Sequence, residues 1–340
     1  MSNTFLIKRN MTYEKKNIAP SLKLIAQITW FSIFILLSIF SPVYASNPEV
    51  IPTTQTTLTL AWWVWPIMLL ITTFFLGIVA VLGGVGGGVL FVPIVSGFFP
   101  FHLDFVRGAG LLVALTGALA AGPGLLKTGL ASLRLTAPLA LIASASAIVG
   151  ATVGLALPTN FVQIALGITI LSIVLLMWKA KQSEYPHVPK ADNLSSALRI
   201  NGIYYEPSTK KTINWQVHRT PTGLLLFVVI GLMAGMFGLG AGWANVPVLN
   251  LLMGAPLKLS VATSKFTLSV VDTSAAWVYI NQGAILVMIT VPSIIGIMLG
   301  SLLGVRLLKK IRASMIHKIV IMMLLLAGSR SLLKGLEIWP

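Results

Sequence analysis

The chain has 340 residues, of which 56% are hydrophobic and only 9% charged, and it carries a formal net charge of +16. A soluble domain covers its surface with roughly 25% charged residues, so that class is excluded. The absence of cysteine excludes a disulfide framework, a thiolate metal centre and a cysteine relay.

Apolar stretches of about 20 residues recur, each long enough to cross a ~30 Å hydrocarbon core as a helix. A transmembrane β-barrel would instead show short alternating segments. The basic residues sit in tails and short connections, the distribution that the positive-inside rule produces. The positive charge therefore reads as membrane topology, with no nucleic-acid partner. These features predict an all-α polytopic membrane protein in contact with the lipid bilayer.

Residues 1–45 form a basic tail (Lys8, Arg9, Lys15, Lys16, Lys23) and an apolar run from Leu24 to Phe40, closed by Val43-Tyr44-Ala45. This is either a cleaved signal segment or a retained first helix. Both readings put the tail in the cytoplasm and Ser46–Leu60 outside. A first membrane unit follows over 62–178, with apolar segments at 62–82, 89–99, 107–126, 135–157 and 161–178. The stretch 179–219 is a polar linker with seven basic and three acidic residues. A second unit over 222–335 has segments at 222–238, 242–253, 262–280, 284–308 and 315–333. The segments 89–99 and 242–253 are too short to span and read as half-helices.

One shift relates the two units. Pro93 and Pro247 are 154 positions apart, as are Gly77 and Gly231, Gly84 and Gly238, Gly86 and Gly240, and Gly88 and Gly242. Gly129 and Gly283, Pro138 and Pro292, and Gly150 and Gly304 keep the same spacing. A constant shift over so many positions marks a duplication. With the linker cytoplasmic, Arg134 and Lys127 fall on its side, as do Lys258 and the group Arg306, Lys309, Lys310 and Arg312. Pro158–Asn160 and Asn281–Gly283, which carry no charge, fall on the other. Each unit then has an odd number of crossings, so the copies run in opposite directions: two inverted-topology repeats with glycine-broken half-helices. That architecture belongs to secondary transporters.

The first candidate site is the pair of glycine breaks, Gly83-Gly84-Val85-Gly86-Gly87-Gly88 and Gly238-Leu239-Gly240-Ala241-Gly242. Glycine tolerates positive φ and exposes its backbone, so such runs unwind a helix. Unwound backbone inside a membrane is tolerated only where it is buried in protein or lines a watery cavity. The free N–H groups and positive dipole end of the half-helix that follows suit an anion. Pro93 and Pro247 are expected in the first turns, where a missing N–H costs least. The competing account is close helix packing through small residues, which we take for Gly150 with Gly154 and Gly300 with Gly304.

Asp272 is the second candidate, the one acidic residue predicted to lie well inside a membrane segment, some 15 Å deep at 1.5 Å per residue. It is open to three readings: a proton-coupling carboxyl, a partner for Lys265, or a hydrogen-bonded structural acid. Lys265, two turns earlier on the same face, either adds positive charge for an anion or snorkels to the cytoplasmic surface. Thr263 and Ser264 add polarity to this helix; in the first unit, Leu111 and Ala118 stand at the positions of Lys265 and Asp272. Asn245 offers an amide donor and Trp243 a cavity wall. Arg107 and Asp104 read as a local ion pair at the outer loop. His102, His187, His218 and His317 are scattered with no ligand spacing, so no metal or cofactor is expected. No catalytic motif is found and the chain is not read as an enzyme.

The two breaks resemble the repeated signature of the sulfite exporter TauE/SafE family, a G-x-GGG element followed by a few apolar residues and proline. Here these are Gly84 to Gly88 before Val92-Pro93, and Gly238 to Gly242 before Val246-Pro247, and Ala262-Thr263-Ser264 resembles the family's small-Thr-Ser start to the next helix. The likeness covers roughly 65–335. Ala241 replaces a glycine, Gly108-Ala109-Gly110 lacks the Thr-Ser pair, and Trp243, Asn245, Lys265 and Asp272 lie outside the pattern. The resemblance implies export of small sulfur-containing anions such as sulfite or organosulfonates across the inner membrane. Read on the residues, the substrate ligands are Gly84, Gly86, Gly87, Gly88, Gly238, Gly240, Gly242, Asn245, Thr263, Ser264 and Lys265, with Asp272 coupling transport to a proton or cation. The alternatives are an anion channel and a transporter of a non-sulfur organic anion. The sequence leaves the oligomeric state open, a homo-oligomer included.

Overall fold

The computed structural model describes residues 63–83, 86–126, 132–179, 186, 188, 191–206, 211–307 and 313–338. The basic tail and first apolar run (1–45), Ser46–Leu60, Gly84, Lys127, Lys309, Lys310 and Arg312 lie outside them. The first unit consists of α1 (Val64–Gly83), α2 (Gly87–Phe98), α3 (Leu103–Leu126), α4 (Leu133–Ala156) and α5 (Thr159–Lys179). The second consists of α7 (Thr220–Phe237), α8 (Gly242–Pro247) with a π-helical turn over Val248–Leu252, α9 (Leu257–Asn281), α10 (Val287–Leu307) and α11 (Ala313–Gly335). Six of these helices are long and apolar enough to cross a membrane: α1, α3, α4, α5, α7 and α10. Leu141 is 75% exposed and Leu225 65%, both on such helices, which is where lipid would take the place of water.

Shifted by 154 positions, every helix of the first unit falls on its counterpart in the second to within three residues at either end. Packing repeats the relation across units. Helix α1 packs along α10 and its counterpart α7 along α4, while α5 packs against α11. The glycines make this close. A Cβ on Gly150 would stand 2.0 Å from the Leu232 carbonyl, and one on Gly300 the same distance from that of Phe74. Gly231 and Gly235 approach backbone about as tightly, while Gly154 and Gly304 stand at 2.8 and 3.1 Å, so close packing accounts for these pairs. Both cores mix the units. One joins Leu69, Phe91 and Leu166 to Ile297 and Leu324. The other joins Leu135 and Ala143 to Phe227, Leu249 and Val271.

The prolines are found deeper than expected. Pro93 is the seventh residue of α2 and Pro247 the sixth of α8, so each removes a ladder bond inside its helix. After Pro247 the chain slips into the π turn at Val248–Leu252, and Asn250 Nδ2 ties this turn to the Ala255 carbonyl at 2.9 Å.

The linker is folded where it is described. It has a short helix, α6 (Asn193–Ala197), and an antiparallel hairpin, β1 (Asn201–Glu206) with β2 (Lys211–Gln216), in which Gly202 pairs Trp215. Trp215, Ile200 and Val217 join the core of α4, α7 and α9. Asp192 accepts hydrogen bonds from the Thr220 amide and hydroxyl, capping the first turn of α7. His218 N–H donates to the Met253 carbonyl, where the π turn ends.

Candidate functional site

The two breaks meet. Helix α1 ends at Gly83, and Gly86 caps α2 in extended conformation with no side-chain hydrogen bond. Helix α7 ends on Gly238 at φ +68°, and Gly240 holds φ +72°, a backbone that favours glycine. A Cβ on Gly242 would lie 3.3 Å from Gly86 Cα and 3.4 Å from Gly86 N. Gly88 abuts the Leu239 carbonyl, and Gly110 of α3 abuts the Gly238 carbonyl. The break glycines therefore permit two unwound backbones to touch, and packing contributes to their presence here as well.

Around this contact lie polar side chains with nothing to bond. Asp272 is 0% exposed, with its carboxyl against Gly240 and beside the Ala241 amide, yet neither oxygen has a hydrogen-bond partner of normal geometry. Asn245, one turn into α8, is also 0% exposed, and both its amide atoms lack partners. The Trp243 indole N–H is buried and unpartnered too. Leaving such groups unsatisfied costs roughly 1–3 kcal/mol each, a cost that native folds accept at few places.

The other anticipated ligands are disposed differently. Asp104 forms ion pairs with His102 and Arg107. Lys265 and Asp272 make no contact as close as a salt bridge, although the lysine charge still acts on the Asp272 carboxyl. Thr263 is buried and its hydroxyl accepts the Ser132 amide at 3.4 Å, which ties α9 to the start of α4. Ser264 is buried on the same helix, and Lys265 is half-buried.

Arg107 is more than half of a local pair. Because α3 begins at Leu103, Arg107 stands in its second turn and is 1% exposed. Its Nη1 donates to the carbonyls of Gly154 (3.0 Å) and Met236 (2.8 Å), its Nη2 to Asp104, and the guanidinium stands 5.9 Å from the centre of the Tyr279 ring. The Tyr279 hydroxyl donates to the Gly235 carbonyl at 3.0 Å. Arginine thus satisfies helix-end carbonyls of α4 and α7 beside the second break, whose Gly238 packs on the Arg107 backbone. A lone arginine close to an apolar run was the available signal in the sequence. The matching anchor on α2 uses Arg330 and Lys334 of α11, which reach the carbonyls of Gly97 and Ser96. No sequence pattern pointed to it.

Crossed apolar helices, paired breaks and buried unpartnered polar groups describe a membrane transporter, and similarity to known proteins agrees. Residues 69–331 match the family model described as "Sulfite exporter TauE/SafE". The chain belongs to the sulfite exporter TauE/SafE family. It is 23% identical over 278 residues to the "Probable membrane transporter protein YunE" of Bacillus subtilis (strain 168), covering 79% of this chain and 98% of the relative. No solved structure matches it significantly.

Proposed function

We propose that the protein is a secondary transporter that exports a small sulfur-containing anion, such as sulfite or an organosulfonate, across the inner membrane. The observation that carries this reading is the contact of the two breaks at Gly86 and Gly242, with Asp272 and Asn245 buried and unpartnered beside it. The anion binds there, near the midplane, to backbone N–H groups of Gly86, Gly87, Gly88, Gly240 and Gly242, with Gly238 shaping the second turn. The Asn245 amide donates to it, and Lys265, Thr263 and Ser264 line the path on the linker side. Asp272 carries the coupling proton or cation. The basic connections put the linker in the cytoplasm, and the two units cross the membrane in opposite senses.

Two features support this. The two breaks touch where the units meet, and the charged side chains of this helix pair lie on the second unit, since Leu111 and Ala118 stand where Lys265 and Asp272 do. Counterflow of labelled sulfite in proteoliposomes tests the proposal. Accelerated exchange with internal sulfite is expected; no exchange of sulfite or of any organosulfonate would refute it.

A further inference from the structure

We infer that Leu268 sets the upper size of the anion that passes between the breaks, and that the site selects a compact, sulfite-sized oxyanion over bulkier organosulfonates. The inference rests on the transport reading above and concerns a residue on which that reading does not draw.

Leu268 is 1% exposed and stands at the meeting point itself. Its Cδ1 would be 3.6 Å from a Cβ on Gly86 and 2.7 Å from one on Gly242, so one side chain closes on both breaks. It belongs to neither large core. With Ala114 and Ala118 of α3 it forms a separate small apolar cluster. The duplication makes its size informative. Ala114 and Leu268 are 154 positions apart, as are Gly86 and Gly240. Just as Leu268 lies on Gly86, Ala114 lies on Gly240, its Cβ 3.0 Å from where a glycine Cβ would stand. Each unit therefore lays one side chain of its second long helix on the break of the other. One unit uses a methyl group and the other an isobutyl group. Leu268 is also one turn from Asp272 on α9, so an anion beside that carboxyl is within reach of Leu268.

A hydrophobic obstacle of this kind discriminates by volume, and one methylene group is worth about tenfold or more in specificity. The experiment compares sulfite with benzenesulfonate in proteoliposomes made from the full chain, as the ratio of their kcat/KM values. Leu268→Ala should raise the benzenesulfonate-to-sulfite ratio by about tenfold or more, Leu268→Phe should lower it, and the volume-conserving Leu268→Met should leave it unchanged. Ala114→Leu, which adds the same obstacle to the opposite break, should lower it as well. The thermal shift given by each anion provides a second measurement, and only in Leu268→Ala should benzenesulfonate stabilise as well as sulfite does. If wild-type protein carries sulfite and the ratio is the same in Leu268→Ala and Leu268→Phe, this inference is overturned and the transport reading stands. If wild-type protein carries neither sulfite nor any organosulfonate, both are overturned. Should Leu268→Ala not fold, Leu268→Val and Leu268→Phe decide the question through opposite shifts.

Discussion

Asp272 concentrates the chemistry at the scale of single residues. A fully buried carboxyl on α9, with neither oxygen in a hydrogen bond of normal geometry, is costly to keep and marks function by default. Asp272→Asn preserves its shape and removes its proton exchange. Sulfite counterflow by this variant should lose its dependence on external pH, or cease, while the protein folds normally; wild-type pH dependence would make the acid structural. Gly242 tests the packing of the breaks. A methyl group added there meets Leu268 Cδ1 at 2.7 Å and the Gly86 backbone at 3.3 Å. Gly242→Ala should therefore cost about 1–3 kcal/mol through overpacking, measured as a drop in Tm in detergent. Because the nearest atom is the end of a flexible side chain, Leu268→Ala in the same protein should recover part of that loss, so the two changes should not be additive.

The elements are held by charges at helix ends. Arg107 supplies donors to carbonyls on α4 and α7 together, and its planar fork cannot be replaced by a lysine. Arg107→Met should destabilise by about 3–5 kcal/mol, since two buried carbonyls and Asp104 lose their partner. Asp104→Asn should cost under about 1 kcal/mol, because that side chain reaches solvent. Chemical denaturation of the two variants side by side checks the order; equal losses would show that the ion pair, and not the carbonyl clasp, is what matters. Pro247 acts at the same scale. It removes one ladder bond, and the helix answers with a π turn that ends at Met253, where the linker docks.

At the scale of the whole molecule, two interlocked units carry a folded linker packed against helices of both. Asp192 joins the linker to α7. Burial pushes its carboxyl up, but hydrogen bonds from Ser195 and Thr220 outweigh this and hold it below the ordinary carboxylate value. A depressed folded value means that the charged form binds better in the folded state. Its contribution is therefore complete above about pH 4 and is lost as pH falls below that. Proteolysis of the linker should stay slow at neutral pH in the wild type and quicken in Asp192→Ala. Below pH 4, hydrogen exchange at the Thr220 amide should become alike in the two; a difference that persisted there would show that the carboxylate is not the cause.

Sequence alone determined the membrane class, ten helical segments to within a few residues, the duplication and the position of both breaks. These follow from local rules: the apolar length needed to span lipid, the punctuation of glycine and proline, and a constant shift between copies. The carboxyl at Asp272 was legible because an acid in an apolar run is conspicuous wherever it points. The depth of Pro93 and Pro247, the fold of the linker and the beginning of α3 were not, because caps and docking contacts set these ends. Only the tertiary structure decided that the breaks touch at Gly86 and Gly242, that Thr263 is spent on Ser132, that Lys265 and Asp272 make no contact as close as a salt bridge, and that Leu268 stands between the breaks. A leucine in an apolar helix carries no signal of its own. Its meaning comes from the backbone opposite, more than 150 positions away for Gly86, and no periodicity along one helix reports which residue of another it will face.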